Sequence, residues 1–156
     1  MNSFTVYQLT YTGGTFGADE MNMIPFADEY YPQYERVYNE CFFEMRKALG
    51  IRPYCVYSDA SQLEAKKEKI FLLADKGTII GSVACCGTEI DDLIVNVKYR
   101  GRGYGRRLLA WAVSHMREYT DEPLTLHAAQ WNKRALALYT NAGFEITKTE
   151  RINQPV

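Results

Sequence analysis

The chain has 156 residues, 47% hydrophobic and 24% charged, the balance of a globular domain and not of a disordered tail or a fibrous repeat. That length fits one domain and buries about 68–70% of the unfolded surface, enough for one real core. Eighteen Lys and Arg against 19 Asp and Glu leave a formal net charge of -1, which excludes a basic protein that coats nucleic acid. The four cysteines (Cys41, Cys55, Cys85, Cys86) lack CxxC spacing and there are only two histidines, His115 and His127, so no metal site is expected. Cys85-Cys86 on an apolar run reads as free thiols in a reducing, cytoplasmic setting. Residues 1–18 lack the basic start of a signal peptide, and the uncharged run Gly77–Thr88 is too short for a membrane span of about 20 residues.

In chain order, Phe4–Tyr11 alternates and is rich in β-branched and aromatic side chains, which predicts a strand. Gly13, Gly14 and Gly17 predict a loop. From Pro32 onward, Tyr34, Val37, Tyr38, Cys41, Phe42, Met45, Ala48 and Leu49 recur at three- and four-residue steps. That is the apolar stripe of a long helix, stopped by Gly50. Arg52–Ser58 reads as short and extended, and Ser61–Lys69 as a short helix or a loop. Ile70–Ala74, Thr78–Cys86 and Glu89–Val97 read as three strands joined by tight turns, hence antiparallel neighbours. A Gly-rich turn leads into a helix over about Gly103–Tyr119. Leu124–Ala128 (strand), Asn132–Asn141 (helix) and Phe144–Arg151 (strand) complete an α/β (α+β) fold, a mixed sheet flanked by helices.

The informative stretch is Leu93-Ile94-Val95-Asn96-Val97-Lys98-Tyr99-Arg100-Gly101-Arg102-Gly103-Tyr104-Gly105-Arg106-Arg107-Leu108-Leu109. Glycines at alternate positions let the backbone approach a ligand, and the helix that follows aims free N–H groups at the same place. With Arg100, Arg102, Arg106 and Arg107 alongside, this is an anion site suited to phosphate. It is neither a P-loop, which needs Lys-Ser or Lys-Thr, nor a dinucleotide fingerprint, which needs GxGxxG in a parallel unit. An Arg/Gly-rich nucleic-acid element is disfavoured because ordered segments flank the run.

Arg100-x-x-Gly103-x-Gly105 after Leu93 and Val95 resembles motif A of the GCN5-related N-acetyltransferase (GNAT) superfamily. Asn132-Lys133-Arg134-Ala135-Leu136-Ala137-Leu138-Tyr139-Thr140-Asn141-Ala142-Gly143-Phe144 is similar to its motif B, N-x-x-A-x-x-x-Y-x-x-x-G-F. The resemblance implies a single GNAT domain over residues 1–156 with a mostly antiparallel sheet, binding acetyl-CoA and acetylating a primary amine. It implies that Leu93, Ile94 and Val95 pair with the pantetheine arm, and that Arg100, Gly101, Arg102, Gly103, Tyr104, Gly105 and Arg106 hold the pyrophosphate. The Val95 amide would face the thioester oxygen, Asn132 and Ala135 would flank the arm, and Tyr139 would protonate the departing thiolate. Asn132 would equally serve as an N-cap, and Tyr139 as a core aromatic.

Glu89 falls where the superfamily's histone acetyltransferases place a general base. Asp91 is expected on the same strand face, Asp92 on the other, and all three also read as solvated charges. His127 is a weaker alternative. The implied partners are a small-molecule or peptide amine acceptor, with no nucleic acid or membrane, for a monomer or homodimer; a non-catalytic acyl-CoA-binding module is the rival. Two features depart from the simple picture. The family usually ends in a two-strand hairpin, and only about a dozen residues follow Phe144, so the C-terminal strands are expected to be shortened, with the last one short, missing or supplied by another subunit. And residues 1–45 carry a net charge of -6, with eight of the 12 tyrosines before Ser58. An acidic, Tyr-rich wall there would favour a cationic acceptor.

Overall fold

The computed structural model describes residues 2–13 and 21–154; Gly14, Gly17, Asp19 and Glu20 of the sequence reading lie outside them. The first strand is β1 (Asn2–Tyr11), and β2 (Met23–Pro25) follows, three residues too short to show a period. Helix α1 (Tyr31–Leu49) has Pro32 in its first turn, where a missing N–H costs nothing. It ends on Gly50 in the left-handed region, whose N–H caps the carbonyls of Arg46 and Lys47. Then come β3 (Ile70–Asp75), β4 (Thr78–Cys86), β5 (Glu89–Val95), α2 (Tyr104–Arg117), β6 (Thr125–Ala129), α3 (Lys133–Asn141) and β7 (Phe144–Gln154).

The seven strands form one sheet in the order β2-β3-β4-β5-β6-β1-β7. Every neighbouring pair is antiparallel except β5 with β6. β4 is buried along most of its length because helices cover both faces. On one face, Leu109, Ala112, Val113 and Met116 of α2 and Tyr139 of α3 pack on Leu9, Val83, Ile90, Leu126 and Phe144. On the other, Tyr34, Val37 and Tyr38 of α1 pack on Ile70, Leu72, Ile79 and Ile94. Each fully buried large aliphatic side chain contributes about 1.5–3 kcal/mol, so the two layers fix α1 and α2 on opposite sides of β5.

One segment differs from the sequence reading, and two take a definite form. The strand expected to reach Val97 stops at Val95. Asn96 is buried, donates to the Ile79 carbonyl (2.9 Å) and accepts from the Lys98 N–H (3.2 Å), which opens a 3₁₀ turn over Val97–Tyr99. Arg52–Ser58 joins no strand; the Asn39 side chain holds it by donating to and accepting from the Tyr57 backbone. Ser61–Lys69 falls into two 3₁₀ turns, Ala60–Leu63 and Lys67–Lys69, the first closed by a capping box of Asp59 and Gln62.

The C-terminal end holds one strand where the resemblance implies two. That strand is not short: β7 runs 11 residues and pairs with β1 from Asn2↔Gln154 to Tyr11↔Phe144. β1 lies between β6 and β7, antiparallel to both. The strand that β7 pairs with is thus the chain's own first strand.

Candidate active site

The site is built by a split in the sheet. β5 and β6 share one parallel rung, Glu89↔Thr125, beside a Thr125 N–H bond to the Thr88 carbonyl (2.9 Å). Beyond it β5 runs on to Val95 and β6 to Ala129 with no further rung. The direction of the free groups follows from the ladder. Asn96 N–H bonds the Ile80 carbonyl (2.8 Å), and β4 and β5 are in register at Gly81↔Val95. Hydrogen-bonded and non-hydrogen-bonded pairs alternate in an antiparallel ladder, so the Val95 N–H and C=O point away from β4, into the opening. Ile94 differs: it pairs with Ser82 and buries its side chain against α1. The Val95 carbonyl accepts the Cys41 thiol from α1 (3.2 Å).

The Gly-rich turn closes one end of this opening. Gly103, the N-cap of α2, has φ 82 and Gly101 φ 79, a region that L side chains rarely adopt. A Cβ at either would meet nothing within 4 Å, so backbone conformation and not crowding requires glycine there, and the space beside the turn is open. The first turn of a helix leaves its N–H groups without intrahelical partners, and the bond from Arg107 N–H to the Gly103 carbonyl (3.3 Å) marks where pairing begins. A Cβ on Gly105 would come within 3.2 Å of Leu138, so its absence lets α2 approach α3 closely. The Arg102 guanidinium lies over the Tyr99 ring (5.4 Å) and that of Arg107 over Tyr104 (5.5 Å). Arg100 lies beside the Cys41 thiol.

Motif B folds as the spacing implies. Asn132 is the N-cap of α3, its side chain accepting from the Ala135 N–H (3.2 Å). Ala135 packs against the α2 face of the core, and Tyr139 is buried with its ring 6.4 Å from Phe144. Burial pushes the Tyr139 hydroxyl up to about 12, and the Asp91 carboxylate pushes in the same direction.

The carboxylates of β5 are arranged differently from the simple alternation. Ala84↔Asp91 and Ser82↔Ile94 leave Asp92 and Leu93 facing Val83 alone, a β-bulge, and Asp92 has φ 48. The bulge brings Asp92 to the same side as Asp91 instead of the opposite one. Lys66 Nζ binds both, at 2.6 Å from Asp91 and 2.5 Å from Asp92, and Asp92 also accepts from the Tyr38 hydroxyl (3.0 Å). Burial first, and Asp91 second, raise the Asp92 carboxyl against the lowering pull of Lys66. Glu89 bonds His127 Nδ1 (2.7 Å), both partly exposed, at the end where β5 and β6 still pair. The sequence reading missed Lys66, Tyr38 and Cys41 as site residues. Lys66 sits in its ambiguous segment, and the only signal was the adjacent acid pair Asp91-Asp92 that a cation would balance.

The expected acidic, tyrosine-rich wall falls only in part within the described residues. Tyr34, Tyr38 and Tyr57 do gather, with ring centroids 4.7–6.0 Å apart. Glu40 and Glu44 of α1 are exposed, Glu35 of α1 lies beside Tyr31, and Asp92 of β5 accepts from the Tyr38 hydroxyl. Among the described residues no helix is long and apolar enough to cross a membrane.

The chain is similar to known acetyltransferases. The chain is 33% identical over 100 residues to N-alpha-acetyltransferase MAK3 of Arabidopsis thaliana, covering 59% of this chain and 53% of the relative. It is 36% identical over 62 residues to the mycothiol acetyltransferase of Propionibacterium freudenreichii, covering 40% of this chain and 20% of the relative. It thus spans about half the length of the first relative and a fifth of the second. Among solved structures, a GNAT acetyltransferase from Colwellia psychrerythraea shares the fold with a TM-score of 0.71 at 14% identity, over 96% of this chain and 56% of that one. The N-acetylglutamate synthase of Neisseria gonorrhoeae, solved with coenzyme A and N-acetyl-glutamate, gives 0.57 at 18% identity, over 78% of this chain and 28% of that one. Residues 25–144 match the Acetyltransferase (GNAT) family, and the chain belongs to that family.

Proposed function

We propose that this chain transfers an acetyl group from acetyl-CoA to a primary amine by direct attack. The observation that carries the reading is the open edge of β5, where Val95 turns its N–H into the split beside the turn at Gly101 and Gly103. Acetyl-CoA fits what is there: an edge strand for the pantetheine amides, and a Gly-rich helix start with open space for the pyrophosphate. When bound it supplies an activated thioester. The backbone of Leu93–Val95 holds the arm, the amides of residues 100–106 hold the phosphates, and Asn132 and Ala135 flank the arm. Val95 N–H donates to the acyl oxygen as charge develops there, a donor fixed in advance by the β4–β5 ladder.

Tyr139 serves the sulfur end. A thiol titrates near 8.5, so a phenol at about 12 gives up its proton to a thiolate at a cost of about 5 kcal/mol. Burial therefore makes Tyr139 a fully protonated hydrogen-bond donor to the leaving sulfur before it is a proton source. Glu89, paired with His127 and partly exposed, takes the amine's proton through water and passes it to solvent. The relative called an N-alpha-acetyltransferase and the amine chemistry of the family support a peptide or small-molecule amine as acceptor. Free cysteines, with Cys85 buried, suit a reducing compartment such as the cytoplasm.

The test is to incubate the protein with acetyl-CoA and a panel comprising a peptide with a free N-terminus, a lysine peptide and spermidine, and to detect acetylated product by mass. Tyr139→Phe is expected to lower kcat by about 100-fold while changing the acetyl-CoA Kd less than twofold. Failure to bind acetyl-CoA, or turnover unchanged in Tyr139→Phe, would overturn the respective parts.

A further inference from the structure

The side chains of Cys41 and Arg100 have no part in the reading above, yet both converge on Val95. The direction of the Val95 carbonyl is set by the peptide unit it belongs to. The N–H of that unit is Asn96's, which bonds the Ile80 carbonyl of β4 at 2.8 Å, and in a trans peptide the C=O points the opposite way. Asn96 is itself locked in place. It is 7% exposed, its side chain donates to the Ile79 carbonyl (2.9 Å) and accepts from the Lys98 N–H (3.2 Å), and its own carbonyl accepts from the Tyr99 N–H (2.8 Å). The Val95 carbonyl is therefore aimed at the split and held there, where β6 supplies no rung to meet it. A carbonyl in such a place needs a donor, and the donor comes from α1: the Cys41 thiol, at 3.2 Å. The Arg100 guanidinium, carried by the Gly-rich turn, donates to the same sulfur.

What this junction does follows from where the Val95 N–H lies. In an extended residue the N–H and C=O point to the same side, which is how one residue exchanges both bonds with a partner strand. An acyl oxygen that accepts from the Val95 N–H thus lies beside the Val95 carbonyl oxygen. Left unpaired, that carbonyl oxygen repels the negative charge that forms on its neighbour. A thiol proton and a guanidinium on the carbonyl side offset the repulsion. Burial raises the Cys41 thiol above its ordinary value despite the lowering pull of Arg100, so the sulfur keeps its proton at neutral pH and remains a donor. A neighbouring strand paired with Val95 would satisfy the carbonyl too, but it would take the N–H as well. A side chain from α1 takes the carbonyl alone.

We propose that Cys41 and Arg100 are positioning residues that mask the Val95 carbonyl, which leaves the end of β5 as a donor only and lets the Val95 N–H polarise an acyl oxygen. The proposal rests on the acetyltransferase reading for the identity of that oxygen as the thioester's. It assigns the Arg100 side chain to the α1 side of the turn, while the amide of the same residue stays with the phosphates. Both side chains act through Val95 and not on the reacting atoms.

The experiment reads the bound thioester directly and needs no acceptor. The full chain is titrated with acetyl-CoA carrying ¹³C at the acetyl carbonyl. Calorimetry gives Kd, and the carbonyl resonance reports how strongly the oxygen is polarised. In the wild type this resonance is expected to move downfield on binding. Cys41→Val, close in size but with no proton to give, should lose at least half of that displacement. Its Kd should stay within about threefold, because no group in contact with the cofactor is removed. Cys41→Ala, with the same expected result, serves if Cys41→Val does not fold. Arg100→Met should also reduce the displacement with Kd retained. A guanidinium that served the phosphates would instead give a Kd raised about tenfold and an unmoved resonance, and that result would overturn its assignment. Cys55→Val, the same change at an exposed cysteine, should leave both readings unchanged. A full displacement in folded Cys41→Val, or an equal loss in Cys55→Val, would overturn the proposal. So would weaker binding by Cys41→Val with the displacement intact, the mark of a packing residue. Binding by the wild type with no displacement removes the role of the Val95 N–H and this proposal with it, and leaves acetyl-CoA binding standing. If the wild type does not bind acetyl-CoA, the acetyltransferase reading itself fails and this proposal falls with it.

Discussion

Gly81 offers the sharpest test of how the fold sets the site. It lies on β4 opposite Val95, under α2. A Cβ there would stand 2.6 Å from Leu108 Cδ1 and 2.9 Å from the Ile94 carbonyl oxygen. Carbon atoms pack at about 3.5–4.0 Å, so Gly81→Ala requires a shift of about 1 Å. Leu108 is fully buried, and the Ile94 carbonyl is backbone, so neither yields without moving α2 or bowing β5. Overpacking of this kind costs about 3 kcal/mol at its upper end, against which alanine regains about 0.5–1 kcal/mol of strand propensity. The net loss is about 2 kcal/mol, a fall in Tm of about 4–8 °C at this chain length. Because the displaced groups are Ile94–Val95 and the start of α2, acetyl-CoA affinity should fall together with stability. The assay is thermal unfolding of Gly81→Ala, Leu108→Ala and the double variant, with acetyl-CoA titrations of each. If the clash is with Leu108, the double variant loses less than the sum of the single ones. An unchanged or higher Tm in Gly81→Ala, or strict additivity, would refute the reasoning.

Two further predictions concern α3 and pH. Asn132→Ala should cost about 1 kcal/mol through loss of the cap on Ala135, whereas Asn132→Ser should restore stability. If Asn132 also touches the pantetheine arm, acetyl-CoA titration will show that Asn132→Ser does not restore affinity. Burial raises the Tyr139 hydroxyl and the Cys85 thiol to about 12, from ordinary values of 10 and 9, and raises Tyr34 and Tyr38 as well. A folded value above the unfolded one means that the stabilisation is complete below the unfolded value and is lost as pH rises toward the folded one. Tyr139 alone then accounts for about 3 kcal/mol lost between pH 10 and 12. Circular dichroism against pH should show the fold intact to about pH 9 and a cooperative loss above it, together with tyrosinate absorbance. Titration of these tyrosines near pH 10 in a folded protein would contradict their burial.

Local signals were strong and long-range ones weak. The stripe of α1 and its Gly50 stop, the Gly-rich turn and the α3 cap all depend on neighbours within a few residues, and all could be read before the fold was known. The placement of β1 between β6 and β7 joins residues more than 110 positions apart, so no local pattern shows it. β2 is too short to show periodicity, and its pairing with β3 shows only in the sheet. The site divides the same way. Its motif residues were legible because glycine and arginine spacing carries their chemistry. The turn of Asp92 toward Asp91 was not, because a bulge depends on register with β4, and the reach of Lys66 spans 25 residues to Asp91.

The central claim is that the split between β5 and β6 binds acetyl-CoA, and thermal unfolding with added acetyl-CoA tests it most directly. At about 100 times its dissociation constant a ligand adds about 2.7 kcal/mol, which at about 2–4 °C per kcal/mol raises Tm by about 5–11 °C. The account predicts that rise, reduced in Gly81→Ala. No rise at millimolar acetyl-CoA would contradict it.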